Sequence, residues 1–246
     1  MRIALCQLRP VAGDVAGNVD AHLRLARVAA AAGAELLAFP ELSLTGYEPS
    51  LARGLAFAVE DARLAPLRVF AAASHTQLLV GAPLRTADKP RIGVARLAGD
   101  APVRWLGKQY LHADELPFFA AQPPESPTVD VSLGDGRRLG LAICYELACE
   151  EHARRAFADG AVGYLALVAK TARGVAAAHA RLGDIARSHR APAWLANCTG
   201  PCEDGLTAGG SAAWNQDGEL VAALGGDDEG VLLVDAASAT ARILRA

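Results

Sequence analysis

The chain has 246 residues, a net charge of −3 and 52% apolar residues. This is enough for one substantial globular core, and the weak negative charge speaks against nucleic acid or an anionic membrane as partner. No apolar run approaches the roughly 20 residues that span a bilayer, and the strand-like opening Arg2-Ile3-Ala4-Leu5-Cys6-Gln7 does not look like a cleavable leader.

Strand and helix patterns alternate along the chain. Residues 2–8 read as a strand. Asn18 is placed to cap a helix running to about Ala32, with Val19, Leu23, Ala26 and Ala30 on one face and Gly33 as its stop. A buried strand follows through Phe39, then a helix over about 60–74 and a strand Gln77-Leu78-Leu79-Val80-Gly81. Segments 92–97 and 103–107 form a predicted hairpin across Gly99-Asp100. A second hairpin pairs 129–133 with 137–143 across Gly134-Asp135-Gly136. A charged helix over 150–159 ends at Gly160, and 162–169 is a continuous apolar strand. An amphipathic helix over about 175–190 leads through Pro192 into Ala193-Trp194-Leu195-Ala196-Asn197. Strands near 210–215, 219–224 and 230–235 close the chain. The alternation, without a linker or a basic tail, predicts one α/β domain over residues 1–246.

Five cysteines, at 6, 144, 149, 198 and 202, are odd in number and lack a CxxC pair. A disulfide framework or a tetrathiolate zinc site is therefore not expected, and the setting this implies is a reducing cytoplasm. Cys144 closes the apolar run Leu139-Gly140-Leu141-Ala142-Ile143, where a rigid backbone can present a thiol to a cleft. Glu41 and Lys108 also follow strand-like runs. A thiol is largely protonated at neutral pH and needs a base or a nearby cation. Glu41 can supply the base. Lys108 can stabilise the thiolate and the oxyanion formed when it attacks a carbonyl, a contribution of about 3 kcal/mol in a partly dry site. Together the three can perform acyl transfer through a thioester, for which no metal and no cofactor are expected. Each residue alone also has a plain reading: packing for Cys144, a turn or cap for Glu41, a solvated charge for Lys108.

Their contexts carry more. Phe39-Pro40-Glu41-Leu42-Ser43-Leu44-Thr45-Gly46-Tyr47, Gly107-Lys108 and Gly140-Leu141-Ala142-Ile143-Cys144-Tyr145-Glu146 resemble, in order, the three signature segments of the nitrilase (carbon–nitrogen hydrolase) superfamily. Gln7, Gly13-Asp14, Asn18, Glu150, Gly160-Ala161, Ala196-Asn197, Gly200, Gly210-Ser211 and Asp217-Gly218 look like its further landmarks. The resemblance implies an αββα four-layer sandwich that pairs as a homodimer. It also implies a Glu41 base, a Lys108 oxyanion stabiliser and a Cys144 nucleophile, with Glu115 as a second glutamate that positions substrate or assists proton transfer.

The chain departs from the family pattern in places. Cys149 stands before Glu150 where proline is usual, and the segment after Lys108 is atypical; packing is expected for Cys149 and a polar loop role for His112. Tyr145, where similar nitrilases have tryptophan, looks like the amidase and carbamoylase branches and is expected to touch substrate. Arg173, in a loop after the 162–169 strand, is a candidate for binding a substrate carboxylate bidentately. The expected activity is ω-amidase-like hydrolysis of a small linear amide with release of ammonia. An N-carbamoyl amide hydrolase, a nitrilase and, from another class, a non-catalytic interaction protein on the same fold are the alternatives. The loops around 45–56, 109–127 and 170–178 are expected to shape the pocket.

Overall fold

The computed structural model describes residues 1–123, 126, 129–133 and 136–245. Strand Arg2–Gln7 (β1) leads to helix Val15–Ala31 (α1), strand Leu36–Ala38 (β2) and the short helix Ala52–Leu55 (α2). Helix Ala65–Ser74 (α3) follows, then strands Gln77–Leu84 (β3), Arg91–Ala98 (β4) and Arg104–Gly107 (β5). The second half begins with strands Val129–Ser132 (β6) and Arg138–Ile143 (β7), helix Glu150–Ala158 (α4) and strand Ala161–Val168 (β8). Helix Ala172–His189 (α5) and strand Ala193–Asn197 (β9) come next, then a hairpin of Thr199–Cys202 (β10) and Gly205–Ala208 (β11). Strands Ala212–Trp214 (β12), Leu220–Ala223 (β13), Gly230–Asp235 (β14) and Thr240–Leu244 (β15) complete the chain.

The strands form two large sheets, ordered β15-β14-β1-β2-β3-β4-β5 and β13-β12-β9-β8-β7-β6. Each has a parallel centre, β1-β2-β3 or β7-β8-β9, with antiparallel strands outside it. Helices α1, α3, α4 and α5 are the crossovers that parallel pairing requires. Parallel strands covered on both faces read as unbroken apolar runs, and the alternating residues show why. In β1, Ile3 and Leu5 pack between the sheets while Ala4 and Cys6 face the helices. In β7 and β8, Leu139, Leu141, Ile143, Leu165 and Leu167 enter that same inter-sheet core; Ala142, Tyr164, Ala166 and Val168 pack under α4 and α5. Three apolar layers thus separate four layers of secondary structure, the αββα sandwich.

Most expected elements stand within a few residues of their predicted bounds. Three readings change. Asp14, not Asn18, caps α1, accepting from Gly17 N–H; one turn inside, Asn18 bonds Val11 and the Leu44 carbonyl instead. Helix α5 starts earlier than expected, so Arg173 lies in its first turn rather than in a loop. The hairpin β10–β11 and strand β15 were not predicted, because their short runs lack a strong period-2 signal. Of the predicted turn 134–136, residues 134 and 135 lie outside the described residues, as do 124, 125 and 127 of the 109–127 loop. Among the described residues no helix is long and apolar enough to cross a membrane.

Candidate active site

Glu41, Lys108 and Cys144 each follow the end of a strand, two in one sheet and one in the other. Beyond β2, the Phe39 N–H still pairs with the Leu79 carbonyl, and then Pro40 ends the strand. The chain folds tightly across β3, with Leu42 at φ +50° and the Leu44 N–H on the Gly81 carbonyl at 2.9 Å. Gly81 permits this crossing: a Cβ there would sit 2.4 Å from both the Leu42 nitrogen and the Pro40 oxygen. Lys108 follows β5 and is fixed on both sides, its N–H on the Ile92 carbonyl and its carbonyl accepting from Gln122, each at 2.8 Å. Cys144 leaves β7 at φ +45°, a strained conformation for a residue with a Cβ, and opens the 3₁₀ turn Cys144–Ala148.

The side chains converge. The Lys108 ammonium, fully buried, donates to Glu41 Oε1 at 2.8 Å and to Glu115 Oε1 at 2.5 Å. Glu115 also accepts from the Tyr47 hydroxyl at 3.1 Å and, on Oε2, from the His112 N–H at 2.7 Å. A lysine ammonium has three donors, so one N–H remains beyond those held by the two carboxylates. The Glu41 carboxylate is 1% exposed, and its Oε2 has no hydrogen-bond partner. A buried carboxylate oxygen left this way is an acceptor waiting for a donor.

Burial raises Glu41 above the usual carboxylate range; Lys108 pulls back by its charge and then by its hydrogen bond, and Glu115 adds to the rise. Burial opposes the charge on Lys108, but Glu41, Cys144 and Glu115 outweigh it and hold the ammonium protonated. Cys144 is half-buried as a residue, yet its thiol is desolvated and is pushed up to about 11, first by burial and then by Glu41. Lys108, Lys170 and the Ala169 N–H act the other way without prevailing. The resting thiol is therefore neutral at pH 7.

Three residues that sequence reasoning passed over shape the site. Tyr47 binds Glu115, as described. Lys170 is the second cation acting on the thiol; Asn197 pins it, accepting from the Lys170 N–H at 2.8 Å and donating to its carbonyl at 3.1 Å. Glu146, 2% exposed, joins the cysteine turn to the lysine segment: Oε2 accepts from Ile143 N–H at 2.7 Å, and Oε1 from Gln109 N–H at 2.5 Å and Tyr110 N–H at 3.4 Å. Burial lifts its carboxyl to about 7 against the pull of those N–H groups. The signal for each was present, since Tyr47 and Glu146 lie inside the signature segments and Lys170 starts the tetrapeptide that contains Arg173.

Tyr145 sits next to the cysteine with its ring 37% exposed and edge-on to His112 at 5.2 Å. Arg173 is exposed and makes no hydrogen bond to the trio or to Glu115. Cys149 is half-buried, its thiol on the Tyr145 carbonyl at 3.8 Å.

Comparison with known proteins places this geometry. The chain is 28% identical to NitN amidase from Nesterenkonia sp. AN1 and superimposes with a TM-score of 0.85, covering 96% of this chain and 92% of the amidase. A cysteine-to-alanine mutant of the Nesterenkonia amidase has been solved with butyramide, and in another mutant the acetamide moiety of fluoroacetamide is added covalently to the active-site cysteine. Among curated sequences, the "Hydrolase in pqqF 5'region" of Pseudomonas protegens is 35% identical over 65% of this chain and 56% of its own length. The glutamine-dependent NAD(+) synthetase of Thermotoga maritima is 31% identical over 60% of this chain but only 26% of its own. This chain thus matches little more than half of the first relative and about a quarter of the second. The carbon–nitrogen hydrolase profile matches residues 2–246, and the chain belongs to that family.

Proposed function

We propose that the protein hydrolyses a small linear amide through a thioester on Cys144, releasing ammonia. The observation that carries this reading is the buried cluster itself: an unpartnered Glu41 oxygen and a lysine ammonium with one uncommitted N–H, both acting on one strand-end thiol.

In this reading Glu41 takes the thiol proton as sulfur attacks the amide carbon. The carbonyl oxygen becomes an oxyanion, which the remaining Lys108 N–H meets. Glu41 passes the proton to the nitrogen, the carbon–nitrogen bond breaks and ammonia leaves the thioester. Water, deprotonated by Glu41, then attacks the thioester, and the thiol is regenerated with a carboxylic acid. A raised Glu41 suits the base role, since a more basic carboxylate accepts the thiol proton more readily. Glu115 fixes Lys108 and is itself fixed by Tyr47 and His112. Tyr145, exposed beside the nucleophile, is positioned to touch the substrate. The Nesterenkonia amidase, solved with butyramide, supports an amide over a nitrile. A homodimer and a cytoplasmic setting belong to the same reading.

The test is ammonia release from a panel of aliphatic amides, N-carbamoyl compounds and nitriles, with Cys144→Ala as control. Turnover of amides that the control lacks is expected. Turnover confined to nitriles, or equal in the control, refutes the reading.

A further inference from the structure

Glu41 rides on the loop that crosses β3, and helix α1 grips that loop through a residue outside the Lys108 cluster. His22, in α1, is fully buried. Its ring packs on Phe39, with centroids 4.2 Å apart and planes at 32°, and its Nε2 lies 2.9 Å from the Ser43 hydroxyl. Phe39 and Ser43 are the second residues before and after Glu41. One imidazole therefore holds the chain on both flanks of the base.

The polarity of this contact is fixed by its other end. Nδ1 lies 2.6 Å from the Asn18 carbonyl, which can only accept, so Nδ1 carries the ring proton. Burial pushes the ring pKa down to about 4 against the pull of that carbonyl, so at pH 7 the imidazole is neutral and its bare Nε2 accepts from Ser43 Oγ. Ser43 is itself fully buried, and His22 is the partner of its hydroxyl. One turn earlier in α1, the Asn18 amide donates to the Leu44 carbonyl at 3.2 Å and to the Val11 carbonyl at 2.9 Å. Between Phe39 and Ser43, Leu42 stands at φ +50°, which a residue with a Cβ keeps only where its surroundings impose it. Release of Ser43 lets Leu42 relax, and Glu41, its neighbour, moves with it.

We infer that His22 is a positioning residue for the base: through Phe39 and Ser43 it fixes where the Glu41 carboxylate stands relative to the Cys144 thiol, without itself meeting thiol or substrate. Its part in turnover rests on the amide-hydrolase reading. Its hold on the Glu41 loop does not. A misplacement of about 1 Å in a reacting group can cost on the order of a hundredfold in rate, so a loop loosened by a fraction of that loses about tenfold. The loss falls on kcat, because the base acts in the chemical step and the surfaces that bind substrate stay in place.

The test separates positioning from plain stability. Removing one partner of a buried hydrogen bond destabilises the fold, whereas replacing both by apolar groups can be nearly neutral. The double variant His22→Leu/Ser43→Ala is therefore compared with His22→Gln, whose Oε1 can still accept from Ser43. With butyramide as substrate, the double variant should keep a Tm close to wild type while kcat falls about tenfold and KM stays within about twofold; His22→Gln should recover kcat to within about threefold of wild type. Two readouts need no turnover. Alkylation of Cys144 by iodoacetamide at pH 7, resolved by peptide mass spectrometry, should slow about fivefold in the double variant, and hydrogen exchange should quicken in the peptide spanning 42–46 with β1 still protected. Ser43→Ala alone should move each readout the same way by a smaller factor, and it carries the comparison if the double variant does not fold. A kcat within twofold of wild type, a loss that His22→Gln does not relieve, or exchange that rises across β1 as much as at 42–46 overturns the assignment and leaves His22 a core histidine only. If wild type releases ammonia from no amide, the hydrolase reading has failed; unchanged alkylation and exchange at 42–46 then overturn the hold, and slowed alkylation with faster exchange there upholds it.

Discussion

Glu146 offers a stringent test of how the site is assembled. Its carboxylate accepts three backbone N–H groups and ties the cysteine turn to residues 109 and 110, directly after Lys108. In Glu146→Gln one oxygen becomes an NH2 group, leaving at least one of those buried N–H donors without an acceptor, a loss of about 1–3 kcal/mol. A second effect opposes it. Glu146 is held at about 7 in the fold against an ordinary 4.5, so ionising it within the protein is disfavoured by roughly 3 kcal/mol. A carboxyl raised on folding contributes stability that is full below its unfolded value and lost as pH rises through the folded one. Glutamine has no such slope. The variant should therefore be less stable than the wild type by about 1–3 kcal/mol at pH 5. The gap should close or reverse by pH 8. Urea denaturation at pH 5, 6, 7 and 8 reads this directly. With its anchor lost, the 108–110 segment can shift, and kcat should fall about 10- to 100-fold with KM changed much less. His152, whose Nε2 lies 3.6 Å from Glu146 Oε2, is held down to about 4 by burial and then Arg155, so it stays neutral across this range. A pH-independent stability gap together with a kcat within twofold of wild type would refute the reasoning.

Other outcomes follow from the same geometry. Gly81→Ala places a methyl against the backbone of Pro40 and Leu42 and should destabilise the fold by about 3 kcal/mol while displacing Glu41; wild-type activity at an unchanged Tm contradicts this. Tyr47→Phe removes one hydrogen bond to a buried carboxylate and should lower kcat/KM roughly 5- to 20-fold without unfolding the protein. Because the Cys144 thiol is pushed up to about 11, its alkylation by iodoacetamide should keep rising with pH from 7 to 10, and Lys108→Ala should slow it at every pH. A plateau reached by pH 8 would mean a thiolate already formed at rest.

The alternation of apolar runs with amphipathic stretches determined by itself that the chain is α/β. Residues such as those of β7 and β8 are apolar on both faces, which is compatible only with a sheet covered on both sides. The strand-end positions of Glu41, Lys108 and Cys144 were equally legible, since each follows an apolar run that a breaker or turn closes. Local pattern was weaker at the elements with little core to mark them, β10, β11 and β15, and at the cap of α1, where both Asp14 and Asn18 have the right chemistry. Only tertiary structure decided which of them turned toward the helix end. It also decided what surrounds the reactive groups. The charge of Lys170 acts on the thiol because β8 ends beside β7, and Glu203 meets Tyr47 because a hairpin folds back over a loop more than 150 residues earlier. Burial, and with it the neutral resting thiol and the raised carboxyls, depends on all these neighbours at once, so it is a property of the packed sandwich and of no segment alone.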